Sequence, residues 1–369
     1  MARLVFHPET FVFYDDSAYL LYNSATHRSL ECRHTVFTDR IFAHLSKLTN
    51  LYQVDVGPEE LAENAVLIGQ MNELGLAELF GNKDDAHPSY APILNLNYDF
   101  DALEKLHESN EDYYLLGFLH EITFFITPGQ QLDAARMLSF MDKAYYCNIR
   151  KVNLVASSTG DLDAAESFIR SLTESYPIVL FIKIEGIPPQ KILEYAHRIP
   201  DAEIRLVGSV DKASPILKDF PYDVLVGDEA SLRKLDGNPD IKINRILPFI
   251  NADQAFLRKH LRIEKEGVFC AEKNDIFIRQ TLNPHFFGKL FVFPDGTVSD
   301  SPAGVPLGKL DELIHTLIRR EIDTRGSWFF TRDKTPCRSC RFKYLCPSPS
   351  IYEIQMNEYD TCFLSTKCG

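Results

Sequence analysis

The feature that most constrains this chain is a run of cysteines near its C-terminal end. The stretch Pro336-Cys337-Arg338-Ser339-Cys340-Arg341-Phe342-Lys343-Tyr344-Leu345-Cys346-Pro347 has the spacing C-x2-C-x5-C, and Cys362 follows after fifteen further residues. Thiolates separated by two residues in a turn reach one metal centre, a third joins from the next turn, and a distant fourth closes a tetrahedral or cubane-like shell. The candidate ligands are therefore Cys337, Cys340, Cys346 and Cys362. Zinc and an iron–sulfur cluster take the same four thiolates, so the ligand set does not choose the metal. Pro347, directly after the third cysteine, is a residue also found in iron–sulfur loops. Cys368 is a spare thiol at a terminus prone to fraying, and unliganded thiols are the plain alternative for the whole group.

Composition narrows the class. Eight cysteines would allow four disulfides in a secreted protein, but Cys32, Cys147 and Cys270 stand alone, and Met1-Ala2-Arg3-Leu4 leads into a strand-like stretch rather than a signal peptide. The chain reads as cytoplasmic, with metal ligation favoured over disulfides. No segment approaches the roughly 20 uncharged apolar residues of a membrane span. With 39 Lys plus Arg against 52 Asp plus Glu, a net charge of -13 and no long basic run, nucleic acid and anionic membranes are excluded as main partners. Arg332, Lys334, Arg338, Arg341 and Lys343 form a local basic patch around the cysteines. Such charge eases thiol deprotonation and favours an anionic cluster, unless the patch is a solvated loop.

A length of 369 residues predicts two or three domains. In residues 1–85, Phe11-Val12-Phe13-Tyr14 and Ala18-Tyr19-Leu20-Leu21-Tyr22 flank Asp15-Asp16-Ser17 in a β-hairpin pattern. Thr38 is placed to cap a helix reaching about residue 48, and Gly57-Pro58-Glu59-Glu60 starts a second that reaches about residue 74. This suits a winged-helix-like module for a peptide or partner, or a plain cap on the next domain. Gly81-Asn82-Lys83-Asp84-Asp85 reads as a linker. Residues 86–265 change to six β-rich runs, at 121–126, 152–156, 179–184, 203–207, 223–226 and 243–247, separated by helical stretches such as 161–172 and 190–199. The fold class is α/β, and repeated right-handed βα units suit a partial parallel (β/α)6-type barrel, with an open doubly wound sheet as the alternative. Neither G-x-G-x-x-G nor a P-loop occurs, which argues against nucleotide binding by the usual devices. Residues 266–369 bring a strand-like run at 275–279, a hairpin-like run at 289–298, a helix at about 310–322, and the cysteines.

The C-x2-C-x5-C run with one distant cysteine resembles the C-terminal half of the SPASM domain, the auxiliary iron–sulfur module of radical SAM enzymes that mature ribosomally made peptides. With the winged-helix-like start and the partial barrel, the resemblance covers nearly the whole chain. It implies a C-terminal SPASM-like Cys-rich domain whose Cys337, Cys340, Cys346 and Cys362 hold one 4Fe-4S cluster. The family's second cluster departs from this pattern. Its D-G-x-V-x-x-C turn aligns with Asp295-Gly296-Thr297-Val298-Ser299-Asp300-Ser301, so Ser301 stands at a cysteine position. Ser350 stands at another, and His285 falls in the window of the third. Ordinary polar structure is expected there.

The larger departure concerns the C-x3-C-x2-C motif that follows the first barrel strand in radical SAM enzymes. Here that place reads Thr127-Pro128-Gly129-Gln130-Gln131-Leu132, and Cys147 beyond it reads as a small buried hydrophobe. Ser157-Ser158-Thr159-Gly160-Asp161 stands where the family has a G-G-E-like turn. The pattern resembles the pseudo-radical-SAM proteins of Bacteroidales Gly-Gly peptide-maturation systems, whose tail is similar to Cys346-Pro347-Ser348-Pro349-Ser350-Ile351-Tyr352-Glu353. The resemblance implies no S-adenosylmethionine and a non-catalytic accessory protein that binds a precursor peptide or a partner maturase, with the cluster stapling the tail.

Two alternatives keep the cysteines: an electron-transfer partner using the cluster, and a zinc-stapled binding protein. A third is an unrelated enzyme acting at the C-terminal ends of the strands. For that reading, adjacent His120 and Glu121 point to opposite faces, and Asp161 and Asp163 read as helix capping. Asn251 and Asp253 are the remaining candidates, and loop polarity explains them as well.

Overall fold

A computed structural model of the chain describes residues 1–45, 51–81, 113–126, 134–172, 175–235, 242–249, 252–359 and 361–364. The predicted linker beyond Gly81, the loop at 127–132, Asn251 and Cys368 lie outside these residues. Alternating apolar residues at the start of the chain form β1 (Ala2–Phe6), β2 (Thr10–Tyr14), β3 (Ala18–Asn23) and β4 (Ser29–Arg33). The β2–β3 turn is closed by the Asp15 carboxylate, which accepts from the backbone N–H of Ser17 at 2.9 Å and of Ala18 at 3.1 Å. Next come a helix at Val36–Leu45, β5 (Gln53–Val56), helices Pro58–Glu63 and Ala65–Glu73, and β6 (Ala77–Phe80). Thr38 does not cap the first helix. Thr35 precedes it and its hydroxyl accepts from Thr38 N–H at 3.1 Å, while the Thr38 hydroxyl accepts from Thr35 N–H at 2.9 Å. The strands form two antiparallel sheets, β5-β1-β6 and β2-β3-β4.

Six parallel strands follow at the β-rich runs: β7 (Glu121–Phe125), β8 (Lys151–Ala156), β9 (Ile178–Lys183), β10 (Glu203–Ser209), β11 (Tyr222–Val226) and β12 (Ile243–Pro248). They pair in sequence order, as short right-handed βα connections require. Ile122, Phe124, Leu154 and Leu180 point into a core shared with Phe140 and Phe168 of the helices Ala134–Lys143 and Thr159–Leu172. Each such fully buried side chain contributes roughly 1.5–3 kcal/mol. Among the described residues, no helix is long and apolar enough to cross a membrane.

The sheet continues into the C-terminal third. β13 (Lys289–Val292) lies parallel to β7, and β14 (Thr297–Ser299) and β15 (Pro306–Lys309) add antiparallel strands to give nine in all. The expected strand at 275–279 is instead part of a helix, Lys273–Thr281. Glu272 and Asp275 cap its start reciprocally, and Ile276 and Gln280, four residues apart, are its buried side. The helix expected at 310–322 runs Ile314–Thr324 and ends at Arg325 in a left-handed conformation. A third core joins the chain's two ends: Phe11, Phe13, Leu20 and Tyr22 pack with Val268, Ile276, Phe342 and Leu345.

Gly288 pins β13 to β7. Its carbonyl accepts from the backbone N–H of His120 at 2.9 Å and of Glu121 at 3.1 Å, its φ is +72°, and a Cβ there would stand 2.1 Å from the His120 ring and 2.5 Å from the Phe118 carbonyl. Only glycine meets both demands. Gly288→Ala is expected to lower stability by at least about 2 kcal/mol in urea unfolding; a change under about 0.5 kcal/mol would show that the junction relaxes freely.

Candidate metal centre

The cysteine segment folds as a chain of tight turns. Thr335 caps a 3-10 turn, Pro336–Ser339, by accepting from Cys337 N–H at 3.2 Å, and Cys340 N–H closes the turn onto the Cys337 carbonyl at 2.8 Å. Cys346 follows one loop later, its N–H bonded to the Phe342 carbonyl at 2.9 Å. Cys362 arrives on a separate strand-like segment that pairs with Ile263. The four thiols share one electrostatic neighbourhood: Cys337, Cys340 and Cys362 each raise the pKa of Cys346. Burial is the larger cause, and Cys346 is pushed up to about 12; Cys340 is raised for the same reason. Among the described residues no three His, Cys, Asp or Glu side chains are arranged to hold a metal ion.

What supports the thiols is Arg332, a residue whose role only the tertiary structure reveals. Its side chain is 2% exposed and pairs with Glu353 at 2.9 Å. Nε donates to the Pro347 carbonyl at 2.9 Å and Nη1 to the Tyr359 carbonyl at 3.2 Å, the same oxygen that accepts from the Cys337 thiol at 3.2 Å. Arg332 is an electrostatic neighbour of Cys346 and Cys337, and its buried Nη2 has no partner among the described residues. A buried guanidinium with an unused N–H near two of the four thiols suits an anionic thiolate centre, because it would offset the charge that deprotonation would bury. The donor types thus suit either a 4Fe-4S cluster or zinc in chemistry, which Cys337, Cys340, Cys346 and Cys362 would hold.

Two other members of the basic patch, Arg341 and Lys343, are committed elsewhere. Arg341 pairs with Asp15 at 2.7 Å and Glu31 at 2.6 Å, tying the cysteine turns to the N-terminal hairpin, and Lys343 pairs with Asp333 at 2.6 Å. Cys270, solitary in sequence, is an electrostatic neighbour of Arg279, as is Cys346. Spacing held no signal for that proximity. Cys147 packs beside the main core, and burial raises its thiol to about 12.

Ser350, Ser301 and His285 carry structural hydrogen bonds. Ser350 caps the helix Ile351–Met356 in a reciprocal box with Glu353. Ser301 Oγ lies 2.9 Å from Ser327 Oγ. His285 bonds to the Ser348 backbone, and burial lowers its pKa. At the other end of the sheet, Ser158 and Asp161 form a similar box at the start of Thr159–Leu172, and Asp163 accepts from the Tyr195 hydroxyl. Asp253 accepts from Ala255 N–H at 2.9 Å and Phe256 N–H at 3.1 Å as a helix cap.

No family model matches the chain, and no curated protein matches it. Among solved structures, Streptococcus suis SuiB bound to S-adenosylmethionine aligns over 99% of this chain and 100% of its own, at 10% identity and a TM-score of 0.42. SuiB bound to the precursor peptide SuiA aligns over 99% of each chain, at 11% identity and a TM-score of 0.40. SuiB by itself aligns over 99% of this chain and 100% of its own, at 10% identity and a TM-score of 0.41. Similarity at this level establishes neither activity nor ligand for this chain.

Beside Ser301 lies a buried acid pair. Asp300 is 2% and Glu321 0% exposed. Asp300 accepts from Ser327 N–H at 2.6 Å and Glu321 from Trp328 N–H at 2.8 Å. Burial first, then Asp300, raises the Glu321 pKa to about 9. Between about 4.5 and 9 the unfolded chain releases this proton while the folded chain keeps it, so the group's contribution to stability falls as pH rises, by about 1.4 kcal/mol per unit. Glu321→Gln keeps a donor toward Asp300 and an acceptor for Trp328. Its stability relative to the native chain should improve by about 1–3 kcal/mol between pH 5.5 and 7.5 in denaturant unfolding; a constant difference would show that Glu321 is ionised when folded.

Proposed function

We propose that the protein is a non-catalytic, pseudo-radical-SAM accessory factor in the maturation of a ribosomally synthesised peptide. In this reading residues 1–85 are a winged-helix-like peptide or partner module, 86–265 a degenerate radical-SAM-like partial barrel, and 266–369 a SPASM-like domain holding one 4Fe-4S cluster. One contrast supports the reading: Cys337, Cys340 and Cys362 are electrostatic neighbours of Cys346, which also neighbours the buried Arg332 with its unused N–H, while Ser301, Ser350 and His285 are spent on hydrogen bonds. A cluster ligated by four thiolates has no open iron, so it supplies a structural tie and a redox centre rather than a substrate site.

The chain's own residues do the rest. Tyr359 and Pro347 hold Arg332 by their carbonyls, Glu353 neutralises it, and Phe342 N–H donates to Cys340 Sγ at 3.5 Å. Arg341 links this tail to Asp15 and Glu31 of the N-terminal sheet, so a partner bound there would sense the state of the tail. The protein is assigned to the cytoplasm, with a precursor peptide or maturase as its partner.

Anaerobic purification with iron, sulfide and zinc analysis tests the centre. About four iron and four sulfide per chain are expected, lost in Cys340→Ala. One zinc instead would leave a stapled binding protein, and no metal after reconstitution would overturn the reading. Failure of the protein to capture either the precursor peptide or the maturase in pull-downs would remove the accessory role.

A further inference from the structure

The nine-stranded sheet has a second face that the cysteine centre does not use. Ile122 and Phe124 enter the helix-packed core, so Glu121, Thr123 and Phe125 share the opposite side. Register carries that face across the sheet. Lys151 stands opposite Glu121, Asn153 opposite Thr123, Arg205 opposite Phe181, and Arg245 opposite Asp223. The ammonium of Lys151 lies 5.8 Å from the centre of the Phe181 ring and the guanidinium of Arg205 lies 5.9 Å from it.

The charges on this face do not balance. Arg205 pairs with Glu203 at 2.6 Å, Arg245 with Asp223 at 2.5 Å, and Lys289 with Glu121 at 3.8 Å. Glu121 also accepts from Asn153 at 2.6 Å. Lys151 has no hydrogen bond or ion pair among the described residues; Glu121 and Glu203 attract it at longer range, while Arg205 and Arg245 repel it. Burial and these two cations disfavour its charged form. Beside it, Asn153 is 4% exposed, and its Oδ1 is buried without a partner among the described residues. A half-buried donor and a buried acceptor are thus both unused, two residues apart on one strand, next to an aromatic ring.

We infer that this face binds an acidic peptide, with a Glu or Asp carboxylate on Lys151 over Phe181 and a backbone N–H donated to Asn153 Oδ1. An inorganic anion would meet Lys151 but bring no donor for Asn153. A peptide brings both, and the methylenes of a glutamate cover the ring. On a chain of net charge -13, a cationic strip is also the place where an acidic partner escapes general repulsion. Lys151 is the first residue of β8, so the strip lies toward the N-terminal ends of the strands, away from where such sheets usually place catalysis. The choice of a peptide as partner class rests on the proposed accessory role.

The test uses the full chain and a fluorescein-labelled Glu-Ala octapeptide, with a Gln-Ala octapeptide as its uncharged match, in anisotropy titrations at low salt. The Glu peptide is expected to bind about ten-fold or more tightly than the Gln peptide and to weaken as salt is added. Lys151→Gln should weaken it about ten-fold or more, Lys151→Arg should retain most of it, and Lys191→Gln should change it less than about two-fold. Lys191 removes the same charge from an outer helix, where it pairs with Glu194. Equal binding by Lys151→Gln, or no binding by the native chain, overturns the proposal. Displacement of the peptide by inorganic phosphate at equal concentration would make this a simple anion site and overturn the peptide assignment. Pull-down of the precursor by Lys151→Gln as well as by the native chain would sink this proposal and leave the accessory role standing.

Discussion

One buried guanidinium organises the C-terminal region. Arg332 sits where four separate pieces of chain meet: the turn that holds Cys337, the Cys346-Pro347 loop, Glu353 of the last helix, and the Tyr359 carbonyl just ahead of Cys362. Leaving a buried charge of this kind unpaired costs about 3–5 kcal/mol, so the segments must keep their acceptors turned toward it. That demand holds the Cys337 turn and the Cys346 loop near one another. It also leaves one N–H of Arg332 unused on the thiol side.

The cysteine tail is not a free appendage. Phe342 and Leu345, between the second and third clustered cysteines, share a core with Phe11, Phe13, Leu20 and Tyr22. Tyr22 donates to the Ala271 carbonyl at 2.8 Å, and Lys273 pairs with Glu9 at 2.8 Å. The N-terminal hairpin is therefore one wall of the cysteine region, and β13 extends the central parallel sheet from the same C-terminal third. The cysteine tail and the N-terminal hairpin are mechanically joined through this packing.

Ser350, Ser301 and His285 are parts of the scaffold. A serine hydroxyl is a poor metal ligand and a strong helix cap, and Ser350 serves as that cap. Ser301 lies against Ser327, near the buried Asp300 and Glu321, whose pKa is raised by burial and by Asp300. Buried networks of this kind help to specify one arrangement of the surrounding segments. The sheet's second face shows the reverse, with Lys151 and Asn153 left short of partners where a scaffold alone would have paired or replaced them.

The sequence by itself determined the local elements and the candidate ligands. Six β-rich runs became six parallel strands, because burial on a helix-covered face requires apolar residues at alternate positions, and four cysteines stood out because metal spacing is set over a few residues. Asp275 to Arg279 misled, since a short apolar alternation cannot be told from one turn of a capped helix until Ile276 and Gln280 find a buried side. Only the tertiary structure decided that Arg332 underlies the thiols, that Arg341 reaches Asp15 across the length of the chain, and that Cys270 and Cys346 share Arg279. Those contacts join residues separated by tens to hundreds of positions. Their geometry follows from how separate elements pack, and no local spacing records it.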